Sequence, residues 1–589
     1  MTDSSQNKNI VIIGAGPAGL TAGRELAKFG HRPTVLEKAP HVGGLACTLE
    51  YKGFHFDMGG HRFFTKVDEV NKMWQEVLGG EFLRRPRLSR IFYNNRLFHY
   101  PLKPLNALRG LGLWQAIIVV LSYLRWQIRP HRREDTFEQW VTNRFGYRLF
   151  SIFFKTYTEK VWGISCSELR AEWAAQRIKG LSLKTVLLTM FLKPRRTIKT
   201  LIEEFDYPRL GPGMMWKAVA AEIEEKGGRV RLGEDVVRIC RTGDRIDSVV
   251  VARDGREDTL PGTDFISSMP VSELILKLSP PAPTPVVEAA RHLTYRDFLT
   301  VCLIVRKRDL FPDNWIYVHS ALVKVGRIQN FANWSPDMVP DPSKSSLGLE
   351  YFCTEGDTLW NTPDDQLIEL ATRELETIGL ATRADIEDGC VFRVPKAYPV
   401  YDASYAEYMV AVRQFVDGLE NLQTVGRNGL HRYNNQDHAM LTGMQAVRNL
   451  VLGERNDLWS VNTETEYHEE IAEKALAPAL EEHFPRIDRV ALAGATGAAG
   501  GLALFVATMV LELKGGPVVG PTLGLLSQYF PGYSVTPLGA VFGLLYGFAA
   551  GGLLGWTFAV LRNTTLLLYI AIVRRRVEMD LLRRFLEFV

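Results

Sequence analysis

The feature of this sequence that most constrains its fold is a strand–turn–helix–strand pattern across residues 10–37. The β-branched run Ile10–Ile13 predicts a buried strand, and the glycines after it have the spacing G-x-G-x-x-G. A helix with an apolar face comes next, and a second strand ends on Glu37. Glycines in this setting are typical of a dinucleotide-binding βαβ unit, although the same spacing alone would be a weak signal.

Each residue of this motif has a physical task. Gly14 permits the tight turn, Gly16 lets the backbone approach a pyrophosphate, and Gly19 lets the helix pack closely on the strand. The N-terminus of the helix offers free N–H groups to phosphates. Glu37 would accept hydrogen bonds from a ribose, and Lys38 beside it completes the first set of candidate nucleotide-binding residues.

A second glycine pair, Gly43 and Gly44, favours FAD over NAD. It resembles the second fingerprint of FAD-binding flavoproteins of the amine-oxidase-like superfamily, where the backbone again approaches the cofactor. A nicotinamide dehydrogenase does not need this pair, and the sequence has no second strand–GxGxxG–helix unit. We therefore expect FAD, bound non-covalently because no Cys or His stands in an attachment pattern, with NAD(P)H as a possible transient reductant.

The run Asp57-Met58-Gly59-Gly60-His61 resembles the histidine loop of UDP-galactopyranose mutases, especially the eukaryotic type. That resemblance implies that Gly60 and His61 lie against the isoalloxazine near N5. The alternative is a histidine that only satisfies hydrogen bonds within its own turn.

Near residue 430 the sequence resembles the C-terminal FAD motif of the same superfamily, a Gly-Arg strand end followed by a helix. The Asn-Gln-Asp-His run within it resembles the mutases again, and we expect Asp437 to cap the helix. In this superfamily a valine pair borders the adenine. The cofactor-binding residues that these resemblances imply are Val236, Val237, Gly426, Arg427, Asn435 and Asp437.

Three further segments carry candidate substrate-binding residues. A diphosphate needs fixed cations, which arginine supplies in two-point fashion, and a sugar on a flavin needs aromatic walls. The mutase resemblance implies that Arg177 and Arg327 hold the diphosphate and that His61 tunes the flavin environment. The tyrosines that would shape the pocket are Tyr317, Tyr398, Tyr401 and Tyr433. Each of these residues taken alone is more often structural.

The order of these blocks predicts an α/β fold with α+β insertions. A Rossmann-type FAD-binding domain is interleaved with a helical and an antiparallel-sheet substrate domain, and transmembrane helices follow. We expect a helix across residues 157–183, while the apolar stretch 114–124 is too short to span and predicts a core or interfacial helix. The predicted segments are 1–100, 201–285 and 406–455 for FAD binding, 101–200 for the helical insert, 286–405 for the antiparallel sheet, 456–488 for an acidic linker and 489–589 for the membrane region.

The last hundred residues are the most apolar part of the chain. Residues 490–511 and 537–561 carry no charge and are long enough to span a bilayer. Residues 515–533 could form a loop, a re-entrant piece or another span, which allows two to four spans. Arginines at both outer ends predict an integral protein of the inner or cytoplasmic membrane with its FAD domain in the cytosol.

Glycines recur at every fourth position in the second span and place a small-residue stripe on one helix face. This stripe predicts either packing within the chain or self-association or assembly with a membrane partner. Residues 574–589 are amphipathic and predict contact with membrane lipid. The glycines of the stripe are Gly539, Gly543, Gly547, Gly551 and Gly555.

Composition excludes several other classes of protein. With 46% hydrophobic and 23% charged residues the chain is globular, and a net charge of +4 is too small to indicate nucleic-acid binding. The six cysteines are far apart, which indicates reduced thiols and no metal site. The polar N-terminus has no apolar signal segment.

These observations leave three hypotheses about function. The first is a flavin-dependent mutase that isomerises a sugar on a nucleotide or polyprenyl diphosphate, with reduced flavin N5 as nucleophile and no net redox change. The second is an amine-oxidase-like oxidase or desaturase acting on an amine or apolar substrate. The third is a tethered flavoprotein without catalytic activity.

Overall fold

The computed structural model describes residues 8–100, 102, 104–171, 204–402, 404–462, 487–516 and 519–586. The chain divides into two compact units, Met1–Ala472 and Glu473–Val589. The first unit contains every strand of the described chain, and the second is helical.

Most strands of the first unit are short, and the two longest, β15 and β19, pair in its largest sheet. In chain order they are β1 Ile10–Ile13, β2 Thr34–Glu37, β3 Thr48–Tyr51, β4 Phe54–Asp57, β5 Phe82–Pro86, β6 Ser89–Tyr93, β7 Arg96–His99, β8 Glu204–Pro208, β9 Arg229–Leu232, β10 Asp235–Thr242, β11 Arg245–Arg253, β12 Arg256–Pro261, β13 Asp264–Ser267, β14 Leu278–Ser279, β15 Tyr295–Val305, β16 Trp315–Val318, β17 Arg327–Asn330, β18 Ser345–Cys353, β19 Ile386–Pro399 and β20 Leu422–Thr424.

The α-helices follow the same chain order. They are α1 Pro17–Lys28, α2 Asp68–Leu78, α3 Pro104–Leu111, α4 Leu113–Ile128, α5 Phe137–Phe145, α6 Tyr147–Phe150, α7 Thr156–Trp162, α8 Gly213–Glu225, α9 Val271–Leu276, α10 Thr284–His292, α11 Phe331–Trp334, α12 Asp364–Thr377, α13 Tyr405–Asp417, α14 Gly426–Gly429, α15 Gln436–Leu452, α16 Arg489–Lys514, α17 Pro521–Gly524 and α18 Pro537–Leu586.

A five-stranded parallel sheet, in the order β20-β13-β1-β2-β9, carries the glycine turn. Strand β1 is buried on both faces. Ile10 and Ile12 belong to the hydrophobic core that α1, α8 and α15 cover, whereas Val11 and Ile13 point into the opposite core. This two-sided burial explains why the strand is apolar without alternation. The parallel register gathers the carboxyl ends of β1, β2 and β13 at one edge of the sheet.

The largest sheet has seven strands in the order β19-β15-β18-β17-β16-β6-β7. Its pairs are antiparallel except for the parallel pair of β16 with β6. Strands β6 and β7 come from residues 89–99, a segment that the sequence analysis assigns to FAD binding. A four-stranded sheet, β12-β11-β10-β14, lies on the other side of the parallel sheet from α1.

The described part of residues 101–200 is helical, but the expected helix across 157–183 is wrong in its extent. Helix α7 ends at Trp162 because Gly163 adopts a left-handed φ of +68° and donates its N–H to the carbonyl of Glu159 at 2.9 Å. Arg177 lies outside the described residues. The stretch 114–124 forms part of α4, in which only Val119 and Tyr123 are buried, so it is not a core helix.

The second unit contains two helices that are long and apolar enough to cross a membrane by length and composition. They cover Arg489–Lys514 and Pro537–Thr565, with mean hydropathy 1.8 and 1.7. Between them, residues 519–533 form only short helical turns. Asp488 caps the first helix by accepting hydrogen bonds from the backbone N–H groups of Val490 and Ala491.

The glycine stripe packs these two helices against each other. A Cβ atom added at Gly547 would lie 2.7 Å from the carbonyl oxygen of Gly500, and one at Gly551 would lie 2.5 Å from that of Thr496. In the described chain, therefore, the stripe takes part in packing within the chain. Contact with a separate partner remains a prediction of the sequence.

This packing predicts that Gly547→Ala destabilises the helix pair by about 1–3 kcal/mol, because the new methyl group meets backbone that must move away. The matched control is Gly494→Ala in α16, where a Cβ would meet nothing within 4 Å. The full-length protein is titrated with SDS, and the fluorescence of a label at position 553 reports the SDS concentration at which half of the helix pair has separated. Equal midpoints for the two variants would contradict the packing.

Candidate functional site

A cavity of about 580 Å³ lies at the carboxyl edge of the parallel sheet. The two glycine turns, the histidine loop, the N-terminus of α15 and strands of the seven-stranded sheet all contribute to its wall. Open α/β sheets bind ligands at this edge because the loops and helix N-termini converge there. The predicted residues that line it are Gly14, Gly16, Glu37, Lys38, Gly44, Gly60, His61, Val236, Arg327, Tyr398, Gly426, Arg427, Tyr433, Asn435 and Asp437.

The two glycine fingerprints meet backbone to backbone. A Cβ added at Gly44, where φ is +51°, would lie 3.1 Å from Cα of Gly16. The N–H of Gly43, whose φ is +106°, donates to the carbonyl of Ala15 at 2.8 Å. Gly19 lies outside the cavity wall, and its Cβ would be 2.0 Å from the Gly14 carbonyl oxygen. This contact allows α1 to start close to β1, as the motif predicts.

The Glu37 carboxylate is held by backbone amides. It accepts hydrogen bonds from the N–H of Ala15 at 2.8 Å and the N–H of Ala39 at 2.9 Å. Each of its oxygens keeps a further lone pair, so Glu37 can still accept from a ribose hydroxyl. Lys38 is exposed at the rim, and Val237 lies beside the cavity-lining Val236 without itself lining the cavity.

The histidine loop leaves β4 at Asp57, which points away from the cavity. The Asp57 carboxylate is buried and accepts hydrogen bonds from the hydroxyls of Tyr207 and Thr48, the latter at 2.7 Å. Burial raises its pKa from 3.8 to about 7, although both hydroxyls favour the charged form. Through these hydrogen bonds Asp57 anchors the start of the histidine loop to Thr48 and Tyr207.

Gly59 and Gly60 let the loop lie directly on the seven-stranded sheet. A Cβ at Gly60 would be 2.9 Å from Nε2 of Gln329, and one at Gly59, where φ is +98°, would be 3.6 Å from Nη2 of Arg327. A side chain at Gly60 would push the loop away from β17, and at Gly59 the positive φ disfavours any residue with a side chain. The glycine pair thus brings His61 next to Arg327.

His61 is neutral in this setting. Burial, followed by the positive charges of Arg427 and Arg327, lowers its pKa from 6.5 to about 3. Its Nδ1 lies 3.1 Å from the carbonyl oxygen of Gly59. Because a carbonyl oxygen can only accept, Nδ1 carries the proton, and Nε2 is left as a hydrogen-bond acceptor.

Arg327 is oriented by an ion pair with Glu350, whose side chain is fully buried. Nε lies 2.9 Å from both carboxylate oxygens, and Nη2 lies 2.5 Å from Oε2. Gln329 donates a further hydrogen bond to Oε1 at 2.8 Å. The ion pair fixes the guanidinium plane, and Nη1 keeps its donor capacity for a ligand in the cavity.

Arg427 and two tyrosines form an aromatic wall. The rings of Tyr398 and Tyr433 stack at 5.6 Å with an interplanar angle of 9°, and the Arg427 guanidinium lies 4.6 Å from the centre of the Tyr433 ring. Arg427 also donates to the carbonyls of Asn434 and Ala397, both at 2.9 Å. Burial raises the pKa of Tyr398 to about 12, so its hydroxyl stays protonated.

Tyr401 and Tyr317 do not line the cavity. The Tyr401 hydroxyl accepts a hydrogen bond from the backbone N–H of Tyr433 at 2.6 Å and so braces the wall. Tyr317 pairs with Arg327 across β16 and β17, and its ring lies 5.3 Å from that of Tyr157. It belongs to an aromatic cluster on the same face as Arg327.

Asn435, and not Asp437, is the N-cap of α15. It donates its backbone N–H to Nδ1 of His438 at 3.3 Å, as in a capping box. Asp437 follows two positions later and accepts a hydrogen bond from the Thr65 hydroxyl at 3.0 Å. The prediction that Asp437 caps the helix is therefore wrong, because a run of polar residues leaves the start of a helix ambiguous.

The residues of the site that the sequence-based set lacks include Arg62, Gln436 and Glu350. Arg62 lines the cavity and lies 5.0 Å from the centre of the Trp315 ring. Gln436 lines the cavity as well, while Glu350 lies behind Arg327. The position of Arg62 next to His61 could have identified it, whereas nothing local marks Glu350 in its fully buried strand.

The walls fit a flavin dinucleotide. The approach of Gly16 and Gly44 leaves a side-chain-free surface for a diphosphate, and the N-terminus of α1 faces the same cavity. Gln436 accepts from Trp216 Nε1 at 3.2 Å, and its buried Nε2 has no partner among the described residues, so it can donate to a ligand. Over the same residues no three His, Cys, Asp or Glu side chains cluster as metal ligands, and the six cysteines are free thiols.

Comparison with known families and curated proteins agrees with this geometry. The profile of the family described as flavin containing amine oxidoreductase matches residues 17–431. The 15-cis-phytoene desaturase of Capsicum annuum is 25% identical over 394 residues, 62% of this chain and 64% of the desaturase. A probable UDP-galactopyranose mutase of Klebsiella pneumoniae is 28% identical over 176 residues, 28% of this chain and 44% of that protein. The match to L-amino-acid oxidases of Crotalus spans only 23–24% of their length.

Among solved structures, reduced UDP-galactopyranose mutase superposes with a TM-score of 0.68 at 20% sequence identity. The superposition covers 78% of this chain and 99% of that structure. At this level of identity the similarity establishes the fold, which is the Rossmann-type α/β fold with inserted substrate domains expected from the sequence.

The close approach of the glycine turns predicts that Gly16→Ala lowers flavin affinity about tenfold or more, a loss of about 1.4 kcal/mol or more. The backbone at Gly16 has φ −82° and ψ −177°, which alanine adopts freely, and the new Cβ would meet only Cα of Gly44 at 3.8 Å. The fold should therefore persist while the methyl group occupies space that the cofactor uses. Flavin absorbance per protein and the thermal melting temperature separate the two effects.

The control is Gly80→Ala, at an exposed glycine whose Cβ would meet nothing within 4 Å. Full flavin occupancy in Gly16→Ala would show that the cofactor does not approach this turn.

Asp57 predicts a specific pH dependence of stability. Its folded pKa of about 7 exceeds the ordinary 3.8, so the unfolded chain holds fewer protons between these values. Stability therefore falls as pH rises through this window, by about 1.4 kcal/mol per pH unit. Urea unfolding between pH 5 and 7.5 should show a smaller fall for Asp57→Asn than for the wild type. Asp244→Asn, at an exposed site, should follow the wild type.

Proposed function

The chain belongs to the family of flavin-containing amine oxidoreductases, and from this premise we propose that it is a membrane-tethered FAD enzyme of the UDP-galactopyranose mutase type. Its substrate would be a sugar carried on a nucleotide or polyprenyl diphosphate. The FAD would be bound non-covalently, and NAD(P)H could serve as a transient reductant.

The observation that carries this proposal is the group of arginines beside the histidine loop. Arg427 and Arg327 lie close enough to the histidine loop to add to the effect of burial in lowering the pKa of His61. Arg62 adds a third guanidinium to the wall. Beside the histidine loop, these arginines favour an anionic diphosphate over a protonated amine, and a purely apolar chain would be costly to place against them.

The proposed roles follow from the geometry. Arg327, oriented by Glu350, would donate Nη1 to the diphosphate, and Arg62 would supply a second cation. Tyr398 and Tyr433 would form the wall against which the sugar lies. Arg177, which the mutase resemblance also assigns to the diphosphate, stays a prediction because it lies outside the described residues.

Bound reduced flavin would supply, at N5, the nucleophile for the anomeric carbon as the diphosphate leaves. The chain would hold both reactants and contribute charge. His61 would stay neutral across physiological pH and offer an acceptor at Nε2 without adding to the positive charge. The positive charge of the arginines would then stabilise the diphosphate, on which negative charge develops.

The membrane tether would be the pair α16 and α18, both long and apolar enough to span. Arginines at the two outer ends of the pair support a cytosolic location for the flavin unit by the positive-inside rule. A substrate on a polyprenyl carrier would suit that location.

An oxidase or desaturase is the second candidate. The extent of the match to 15-cis-phytoene desaturase supports it, since that relative is matched over 62% of this chain. Such an enzyme would take an apolar substrate and would not need the arginines of the cavity.

The deciding experiment is anaerobic incubation of the full-length protein with a panel of nucleotide sugars, including UDP-galactopyranose, after reduction by dithionite. Cyanoborohydride traps any flavin–sugar adduct, and mass spectrometry detects it. We expect an adduct only with reduced flavin. If a fully reducible protein yields none with nucleotide or polyprenyl-diphosphate sugars, yet oxidises amines or dehydrogenates polyenes, the second candidate is correct.

Replacement of the cavity ion pair gives a residue-level prediction. Arg327→Gln/Glu350→Gln removes both charges at once. Removing only one of them would leave the other buried without a partner, at a cost of about 3–5 kcal/mol. We expect KM for the diphosphate-linked sugar to rise about tenfold or more, a loss of about 1.4 kcal/mol or more. The control, Arg383→Gln/Glu369→Gln, neutralises an exposed ion pair. An unchanged KM would exclude Arg327 from diphosphate binding.

A further inference from the structure

Helix α4 of the first unit turns its apolar side chains outward. Their positions repeat every three to four residues, which places them along one face of a helix about 24 Å long. The exposed fractions range from 37% to 79%, far above those of a core helix. The outward residues are Leu113, Trp114, Ile117, Val120, Leu121, Leu124 and Ile128.

The inner side of α4 is fixed by polar contacts. The Ser122 hydroxyl accepts from the backbone N–H of Arg148 at 3.0 Å, and Gln115 Oε1 accepts from Arg148 Nη2 at 2.9 Å. A Cβ at Gly146 would lie 2.8 Å from the backbone of Tyr123, so the helix is seated closely. Rolling the apolar face inward would break these contacts, which means that the outward orientation belongs to the fold.

A basic segment follows the apolar face. Arg125, Arg129, Arg132 and Arg133 are all exposed at or after the end of α4. Of the acidic residues that come next, Glu134 pairs with Arg144 at 2.8 Å, and Asp135 is exposed. The segment 125–135 therefore keeps a positive balance beside the apolar face.

We propose that α4 lies on the surface of a lipid bilayer that contains anionic lipid. Its apolar face would enter the boundary between headgroups and acyl chains, and the four arginines would contact the phosphates. Trp114 would occupy the interface, which indole side chains favour. This inference goes beyond the proposed reaction and holds equally for a mutase or a desaturase.

Two observations favour lipid over a protein partner. The arginines lie at the end of the apolar face. From there their long side chains can extend to the lipid headgroups while the apolar face enters the bilayer, as in an interfacial helix. In addition, the chain carries its own pair of helices long enough to span. A bilayer would therefore be within reach of this chain at all times.

The test uses the full-length, flavin-loaded protein in nanodiscs of phosphatidylcholine with or without phosphatidylglycerol. An environment-sensitive NBD label at Leu121→Cys should shift to shorter emission wavelength and be quenched by a nitroxide on the lipid acyl chains. Both effects should be larger with phosphatidylglycerol. Protein without the introduced cysteine gives the background from Cys240 and Cys390, which are partly exposed.

Two labelled controls make the result decisive. Leu322→Cys, an 80% exposed apolar position elsewhere in the first unit, should show neither effect, and Leu553→Cys in α18 should be quenched if the tether is inserted. Quenching at 553 with none at 121 would overturn the proposal while leaving the tether intact. A shift at 121 that grows with protein concentration and resists the lipid quencher would also overturn it, in favour of a second copy of the chain.

The charge contribution has its own variant. Arg129→Glu/Arg132→Glu/Arg133→Glu should abolish the dependence of quenching on phosphatidylglycerol and leave flavin content unchanged. Persistence of that dependence would exclude this basic segment as the contact for anionic lipid.

Discussion

The backbone contact between Gly16 and Gly44 is the constraint on which the cavity depends. It joins the turn after β1 to the turn after β2, and a side chain at Gly44 would prevent this approach, because its Cβ would lie 3.1 Å from Cα of Gly16. Glycine is also required where α15 packs on α1, because a Cβ at Gly443 would lie 2.5 Å from the carbonyl oxygen of Ala18. Glycine therefore brings the N-termini of α1 and α15 to one cavity, where their N–H groups can bind anionic ligands.

On the side of the cavity that the seven-stranded sheet forms, the charge of Arg327 is balanced by the buried carboxylate of Glu350. Glu350 compensates and orients Arg327, and Gln329 satisfies one of its oxygens. Without Glu350, Arg327 would be a mobile cation, and without Arg327, Glu350 would be a buried charge of high cost. Since Arg427 remains beside the cavity and His61 stays neutral, the balance near the histidine loop is positive. That local charge supports the proposed anionic substrate over an amine.

Features that depend on neighbouring residues in the chain could be predicted from the sequence. Features that depend on contacts between distant segments could not. The strand–turn–helix of β1 and α1 is encoded in consecutive residues, so its boundaries and the role of Gly19 follow directly. By contrast, β6 and β7 join the seven-stranded sheet through β16, more than two hundred residues away in the chain. Glu350 pairs with Arg327 across two strands, and its position in a fully buried strand gives no local signal. The orientation of α4 likewise depends on contacts with Arg148 and Gly146.

In the proposed function, cofactor and substrate would be held by different layers, so the same frame could serve different reactions. The parallel sheet and its glycine turns present backbone to the cofactor, and backbone is insensitive to which substrate is bound. The seven-stranded sheet presents side chains, among them Arg327 and Tyr398, so substitutions there can change the substrate without disturbing the flavin. The choice between a diphosphate-linked sugar and an apolar substrate therefore lies in the few charged side chains of that sheet and of the histidine loop. The arginines stand on that side of the cavity, which supports the proposed diphosphate-linked sugar.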